Sequence, residues 1–144
     1  MLTQKSVFTL LFVFGFGLLM QAQSVIGTWR TIDDETGEAK SYVTLYKEDG
    51  KVFGKITKLL QKDPATTFCD KCKDYRKDQK VQGMVILTDL KQSGEYWKGG
   101  KILDPNNGKI YTCKIWLDDD NKDKLHVRGY IGPFYRTQKW FRVD

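Results

Sequence analysis

Residues 109–131 read KIYTCKIWL (109–117), DDDNKD (118–123) and KLHVRGYI (124–131). Two short runs of β-branched and aromatic residues flank a polar, acidic connection. That pattern predicts strand, turn, strand. Period-2 alternation places His126 on one face with Arg128 and Tyr130. Cys113 falls mid-strand and reads as a small buried hydrophobe.

The same grammar runs outward in both directions. Further strands are expected near Ile26–Ile32, Ser41–Lys47, Lys51–Leu59, Gly83–Leu90, Glu95–Leu103 and Tyr135–Val143. Between them stand turn-formers: Asp34-Glu35-Thr36-Gly37, Glu48-Asp49-Gly50, Gln92-Ser93-Gly94 and Pro105-Asn106-Asn107-Gly108. Asp-Gly and Asn-Gly supply the left-handed backbone that tight hairpins need. Only Lys73–Gln82, mostly charged, leaves room for a helix. About eight short strands on tight turns imply an all-β, antiparallel, up-and-down meander, whose edges are best hidden by closing into a barrel. An open sandwich is the alternative. A barrel of that size has room for side chains or one small ligand.

The chain starts differently. Lys5 precedes an apolar run from Val7 to Met20, and Gln21-Ala22-Gln23 offers a small residue for cleavage. This is the pattern of a secretory signal peptide, 1–22, ahead of one β-barrel domain, 23–144. A spanning helix needs about 20 apolar residues, so no stable membrane span is expected after cleavage. The implied address is periplasmic or secreted. The formal charge of +6 includes Lys5 and is spread among acids. With export, that argues against a nucleic-acid partner and leaves a small acidic ligand open.

Leu60–Gln82 is too long for an ordinary connection. It holds Cys69-Asp70-Lys71-Cys72. In an oxidising compartment the pair reads first as a structural disulfide clipping a long loop. Thiol redox activity would call for a strand-to-helix setting that is missing. Zinc would need Cys69, Cys72, Cys113 and His126 to converge. Covalent haem would need histidine where Lys73 stands.

Other signatures fail. There is no Gly-x-Ser-x-Gly elbow, and Gly99-Gly100-Lys101 misses the phosphate-loop spacing. Asp118–Asp123 breaks the EF-hand calcium pattern at Lys122. No catalytic residue, metal or cofactor is expected.

What remains is Gly27-Thr28-Trp29 in the first strand and Arg136-Thr137-Gln138-Lys139-Trp140-Phe141-Arg142 in the last. Gly-x-Trp resembles the opening of the calycin barrels, the lipocalin and avidin group. That resemblance implies a tryptophan plugging one barrel end with an arginine packed over it, here Arg142 or Arg136. A wider set resembles the exported bacterial family catalogued as domain of unknown function 2147. It comprises Ile26–Asp34, Cys69-x-x-Cys72, Gly83-Met84, Lys101–Pro105, Val127–Gly132, Arg136–Gln138 and Trp140. The resemblance spans residues 25–144 and implies a small exported barrel, without an activity to carry over.

The expected function is non-catalytic binding of a small or acyl-type, lipid-like ligand at Trp29, Arg128, Tyr130, Arg136, Gln138 and Trp140. Arginine suits carboxylate or phosphate recognition. One alternative is an envelope interaction module using the 60–82 loop and Tyr42, Tyr46, Trp97 and Tyr135. The other is a thiol redox protein through Cys69 and Cys72.

Overall fold

A computed structural model describes residues 24–61 and 67–144. The export signal expected at 1–22 lies outside them. Eight strands follow in chain order: β1 (Gly27–Ile32), β2 (Ala39–Glu48), β3 (Lys51–Leu59), β4 (Val85–Ser93), β5 (Tyr96–Asp104), β6 (Lys109–Leu117), β7 (Lys124–Ile131) and β8 (Phe134–Arg142). Each pairs antiparallel with the next, and β8 returns to β1, so the sheet is a closed up-and-down barrel.

The turns do what their residues dictate. Asp49 (φ 51°) and Gly50 (φ 76°) form a two-residue hairpin between Glu48 and Lys51, both left-handed as a type I′ turn requires. Gly132 at φ 53° starts the Gly132-Pro133 tip between β7 and β8. β4 begins later than its sequence suggests, because Gly83 (φ 93°) turns the chain and its N–H goes to Ile56 O at 2.6 Å. It then runs past Leu90, with Asp89 at φ 59° marking an irregularity.

The seam between first and last strands is registered at Trp29↔Arg142 and Arg30↔Phe141. One end of the barrel is sealed there. Trp29 is 0 % exposed, and its Nε1 donates to Val25 O at 2.9 Å. Above Trp29 lie Val43, Leu45, Val52, Leu90 and Ile115, all buried as alternation along each strand demands. Trp97 also faces inward and is buried, so it presents no outer aromatic surface. Its neighbour Lys47 holds Nζ 5.2 Å from the ring centroid. Tyr135 by contrast is exposed, while Tyr42 and Tyr46 are half-buried.

The described part of the excursion after β3 forms a folded strap, and Lys73–Gln82, where the sequence left room for a helix, is made of turns. Lys77 N–H bonds Asp74 O and Gln79 N–H bonds Arg76 O, which are single turns. Cys69 and Cys72 form a disulfide, and both residues are buried. The strap rests on the β5–β6 turn. A Cβ on Gly108 would stand 1.9 Å from Lys71 O, so only glycine permits this approach. Arg76, 8 % exposed, pins the far side. Its Nη1 donates to Val85 O at 3.0 Å, and its Nη2 pairs with Asp74 Oδ2 at 2.7 Å.

Candidate ligand cavity

The half of the barrel away from Trp29 is not filled. A cavity of about 200 Å³ opens at the end carrying the strap and the β1–β2, β5–β6 and β7–β8 turns. That is somewhat larger than the roughly 150 Å³ engineered cavity that takes up benzene. Gly129 takes an inward position on β7, where a Cβ would stand 3.2 Å from Tyr111 Cβ, so the missing side chain lets Tyr111 pack against the strand.

The inner wall is apolar: Ile56, Ile86, Leu103, Val127 and Trp140. Two hydroxyls interrupt it, and they satisfy one another. Thr31 Oγ1 and Ser41 Oγ are 2.7 Å apart, and both residues are buried. Gln138 Oε1 accepts from Trp140 Nε1 at 3.1 Å, which fixes the indole edge. Polarity is concentrated toward the rim, at Lys40, Gln61, Asp104, Asn106 and Arg136. Arg136 Nε donates to Asp34 Oδ2, joining β8 to the β1–β2 turn across the splayed part of the seam. Lys40 lies 3.7 Å from Asp33. The Asp33 carboxyl is held below its usual range, mainly because it accepts from the Glu35 and Thr36 backbone N–H groups.

The expected site residues divide into three places. Arg136, Gln138 and Trp140 line the cavity together. Trp29 belongs to the sealed end, where the Arg142 guanidinium lies 4.3 Å from its ring centroid. Arg128 and Tyr130 face outward, because Val127 and Gly129 take the inward positions of β7. There Arg128 packs over Trp116 (5.0 Å) and Tyr135 (4.3 Å) and donates from Nε to Thr137 Oγ1 at 2.7 Å.

Sequence reasoning did not single out Thr31, Ser41, Ile56, Ile86, Val127 or Gly129. Alternation marks them as inward-facing, yet depth along the barrel decides whether an inward residue meets core or cavity.

Among the described residues, the cavity lining holds no assembled nucleophile and base. Cys113 is buried in the packed half, and burial pushes its thiol up to about 12. His126 faces outward, its Nε2 2.7 Å from Asp118 Oδ2 and its ring stacked on Trp116 at 5.1 Å. Cys113 and His126 therefore sit on opposite faces of the sheet. Among the described residues, no group of three or more His, Cys, Asp or Glu is placed to hold a metal ion. What these walls can do is enclose an apolar body and meet a polar head at the rim.

A sealed eight-stranded up-and-down barrel with an open far end is a lipocalin-like fold. The chain belongs to the family described as "Uncharacterized protein conserved in bacteria (DUF2147)", whose model matches residues 27–142. It is similar in fold to a solved structure, protein HP1028 from the human pathogen Helicobacter pylori, described as belonging to the lipocalin family. That match has a TM-score of 0.72 and 17 % identity, over 85 % of each chain. No curated protein matches the chain. Among the described residues, no helix is long and apolar enough to cross a membrane.

Proposed function

We propose that this protein is an exported, non-catalytic carrier that binds a small amphipathic acid, of the acyl type, in the open half of its barrel. The observation that carries the reading is the cavity itself: an apolar inner wall ending in a rim that presents Arg136 and Lys40. Burying a short alkyl chain against Ile56, Ile86 and Val127 contributes about 0.8 kcal/mol per methylene. A carboxylate at the rim meets Arg136, whose fork suits planar anions. The apolar start of the sequence and its small-residue exit support export.

The test is a calorimetric titration with octanoate, octanol and octylamine. Octanoate is expected to bind tightest and octylamine weakest. Val127→Phe fills the cavity and is expected to abolish uptake while circular dichroism still reports an intact barrel. No heat with any of the three probes, from folded protein, would overturn the reading.

A further inference from the structure

We propose that the outer face of β4–β7 binds an acidic polysaccharide, a chain of uronate sugars laid across the strands. The register puts Lys91 opposite Lys98, Lys98 opposite Lys114, and Lys114 opposite Arg128. Four cations therefore stand in one row on four adjacent strands, spaced by the strand separation of about 4.8 Å. Like charges directly opposite one another destabilise a sheet, so the row carries a repulsion that an anion would relieve. Lys91 and Lys98 are exposed, Lys114 and Arg128 are half-buried, and among the described residues none of the four forms an ion pair. Strands β4–β8 carry ten lysines and arginines and only two acids. Neither acid serves the row: Asp89 lies 3.7 Å from Lys51, and Asp104 ends β5 and lines the cavity rim. Acids return only past the strand ends, at Glu95 and in the Asp118–Asp123 turn, where Asp118 is held by His126 at 2.7 Å.

Rings border the row on both sides. Toward the plug, Trp116 packs edge-on to Tyr96 at 5.8 Å and stacks with His126 at 5.1 Å, which separates the cations from the acidic turn. Toward the mouth, Tyr130 and Tyr135 lie 5.8 Å apart. Lys114 Nζ is 3.9 Å from the Tyr96 ring centroid, and the Arg128 guanidinium is 4.3 Å from that of Tyr135. Tyr96 (40 %) and Tyr135 (62 %) still present ring surface to solvent. Cations at this pitch suit a polymer with one carboxylate per sugar, because a pyranose residue is about as long as the gap between strands. Its carboxylates accept charge-assisted hydrogen bonds from the ammonium and guanidinium groups, and its C–H faces lie on the tyrosine rings. A neutral glycan leaves the cations unanswered, and a nucleic acid spaces its charges more widely. Arg128 and Tyr130 thus belong to a site on the outside of the barrel. This site does not depend on what fills the cavity.

The experiment is calorimetric titration of the purified protein with polygalacturonate, with its fully methyl-esterified form, and with polyglutamate at equal charge. Polygalacturonate is expected to bind tightest and to weaken with salt. Polyglutamate should bind clearly more weakly, and the ester not at all. Lys98→Gln combined with Lys114→Gln should lower polygalacturonate affinity roughly tenfold, two exposed ion pairs being lost. The same pair should melt no lower than wild type without ligand, since a repulsion has been removed. Lys55→Gln with Lys58→Gln takes an equal charge from β3 and should change affinity less than about twofold. Tyr135→Ala should weaken polygalacturonate about fivefold through the lost ring contact, and leave polyglutamate unchanged. Circular dichroism establishes that each variant is folded. Absence of polygalacturonate binding, equal binding of polyglutamate, or an equal loss in the β3 pair overturns the proposal. So does tighter binding of a single-stranded oligonucleotide, which would make the face a nucleic-acid site.

Discussion

The Arg142 guanidinium lies 4.3 Å above the Trp29 ring and ties two separate pieces of chain to it. Nη1 donates to Ile26 O at 3.2 Å, Nη2 to Ser24 O at 2.8 Å and to Lys122 O at 3.2 Å, and Nε to Asp123 Oδ1 at 3.1 Å. A residue of the last strand thus fastens the segment before β1 and the β6–β7 turn. Arg142→Ala should cost about 2–4 kcal/mol in urea denaturation, because it strands carbonyls as well as baring the indole. Arg142→Lys should recover less than half, since an ammonium cannot reproduce the fork.

Acid should loosen the same end. The Asp118 carboxyl is lowered to about 2, chiefly by its hydrogen bond with His126 and then by the Asp120 and Asn121 N–H groups. A carboxylate depressed in the folded state stabilises above its unfolded value, and that contribution fades as pH falls from about 4 toward 2. Asp118→Asn keeps an acceptor for the turn and should flatten the stability profile in that window. Denaturation midpoints measured across it provide the check, and a profile parallel to wild type would refute the assignment.

The strap should be chemically quiet. Both disulfide residues and Cys113 are buried, and the Cys113 thiol is pushed up to about 12. Native protein should resist dithiothreitol and leave a chromogenic thiol reagent unreacted until denaturant is added. Cys69→Ala with Cys72→Ala should lower stability by about 2 kcal/mol, the chain-entropy value for a short loop. Rapid reduction of the native protein would instead favour thiol exchange, which requires a reachable sulfur.

Gly108 should prove intolerant. It combines φ 71° with a Cβ position 1.9 Å from Lys71 O. Gly108→Ala should destabilise by about 1–3 kcal/mol from backbone conformation alone, before the clash is counted. Gly37→Ala, at φ 72° with nothing within 4 Å, separates the two effects, because it carries the backbone cost without the collision. Equal melting shifts for both would show that the strap does not press on the turn.

At the rim, Asp34 competes with any anionic ligand for Arg136. Asp34→Asn should tighten octanoate by up to about fivefold, within the range for an exposed ion pair. Arg136→Gln should weaken it while leaving octanol unchanged. Trp140 is the one tryptophan that lines the cavity, so ligand-dependent emission should vanish in Trp140→Phe.

Much of the architecture was legible because hairpins are local. Asp49-Gly50 and Asn107-Gly108 announce their turns, and residues such as Val43, Leu45 and Val52 announce their side of the sheet. The plug was legible too, since closing the meander brings Trp29 beside Arg142. The cavity was not. Arg128 and Arg136 look alike in a string, yet register gives Val127 and Gly129 the inside of β7 and leaves Arg128 outside. Which inward residues are tightly packed depends on three-dimensional volume, set by the register of all eight strands. The strap's seat on Gly108 is likewise a contact between segments distant in sequence, with no periodicity to reveal it.

Ser24 and Asp144 both lie beside the plug: Ser24 O accepts from Arg142, and Asp144 Oδ1 accepts from the Thr28 N–H at 3.0 Å. The described chain thus begins and finishes at the pole opposite the opening. A handle attached behind Asp144 would anchor the molecule upside down to its support, leaving the entrance unobstructed. Sensors or affinity columns made that way should retain full capacity.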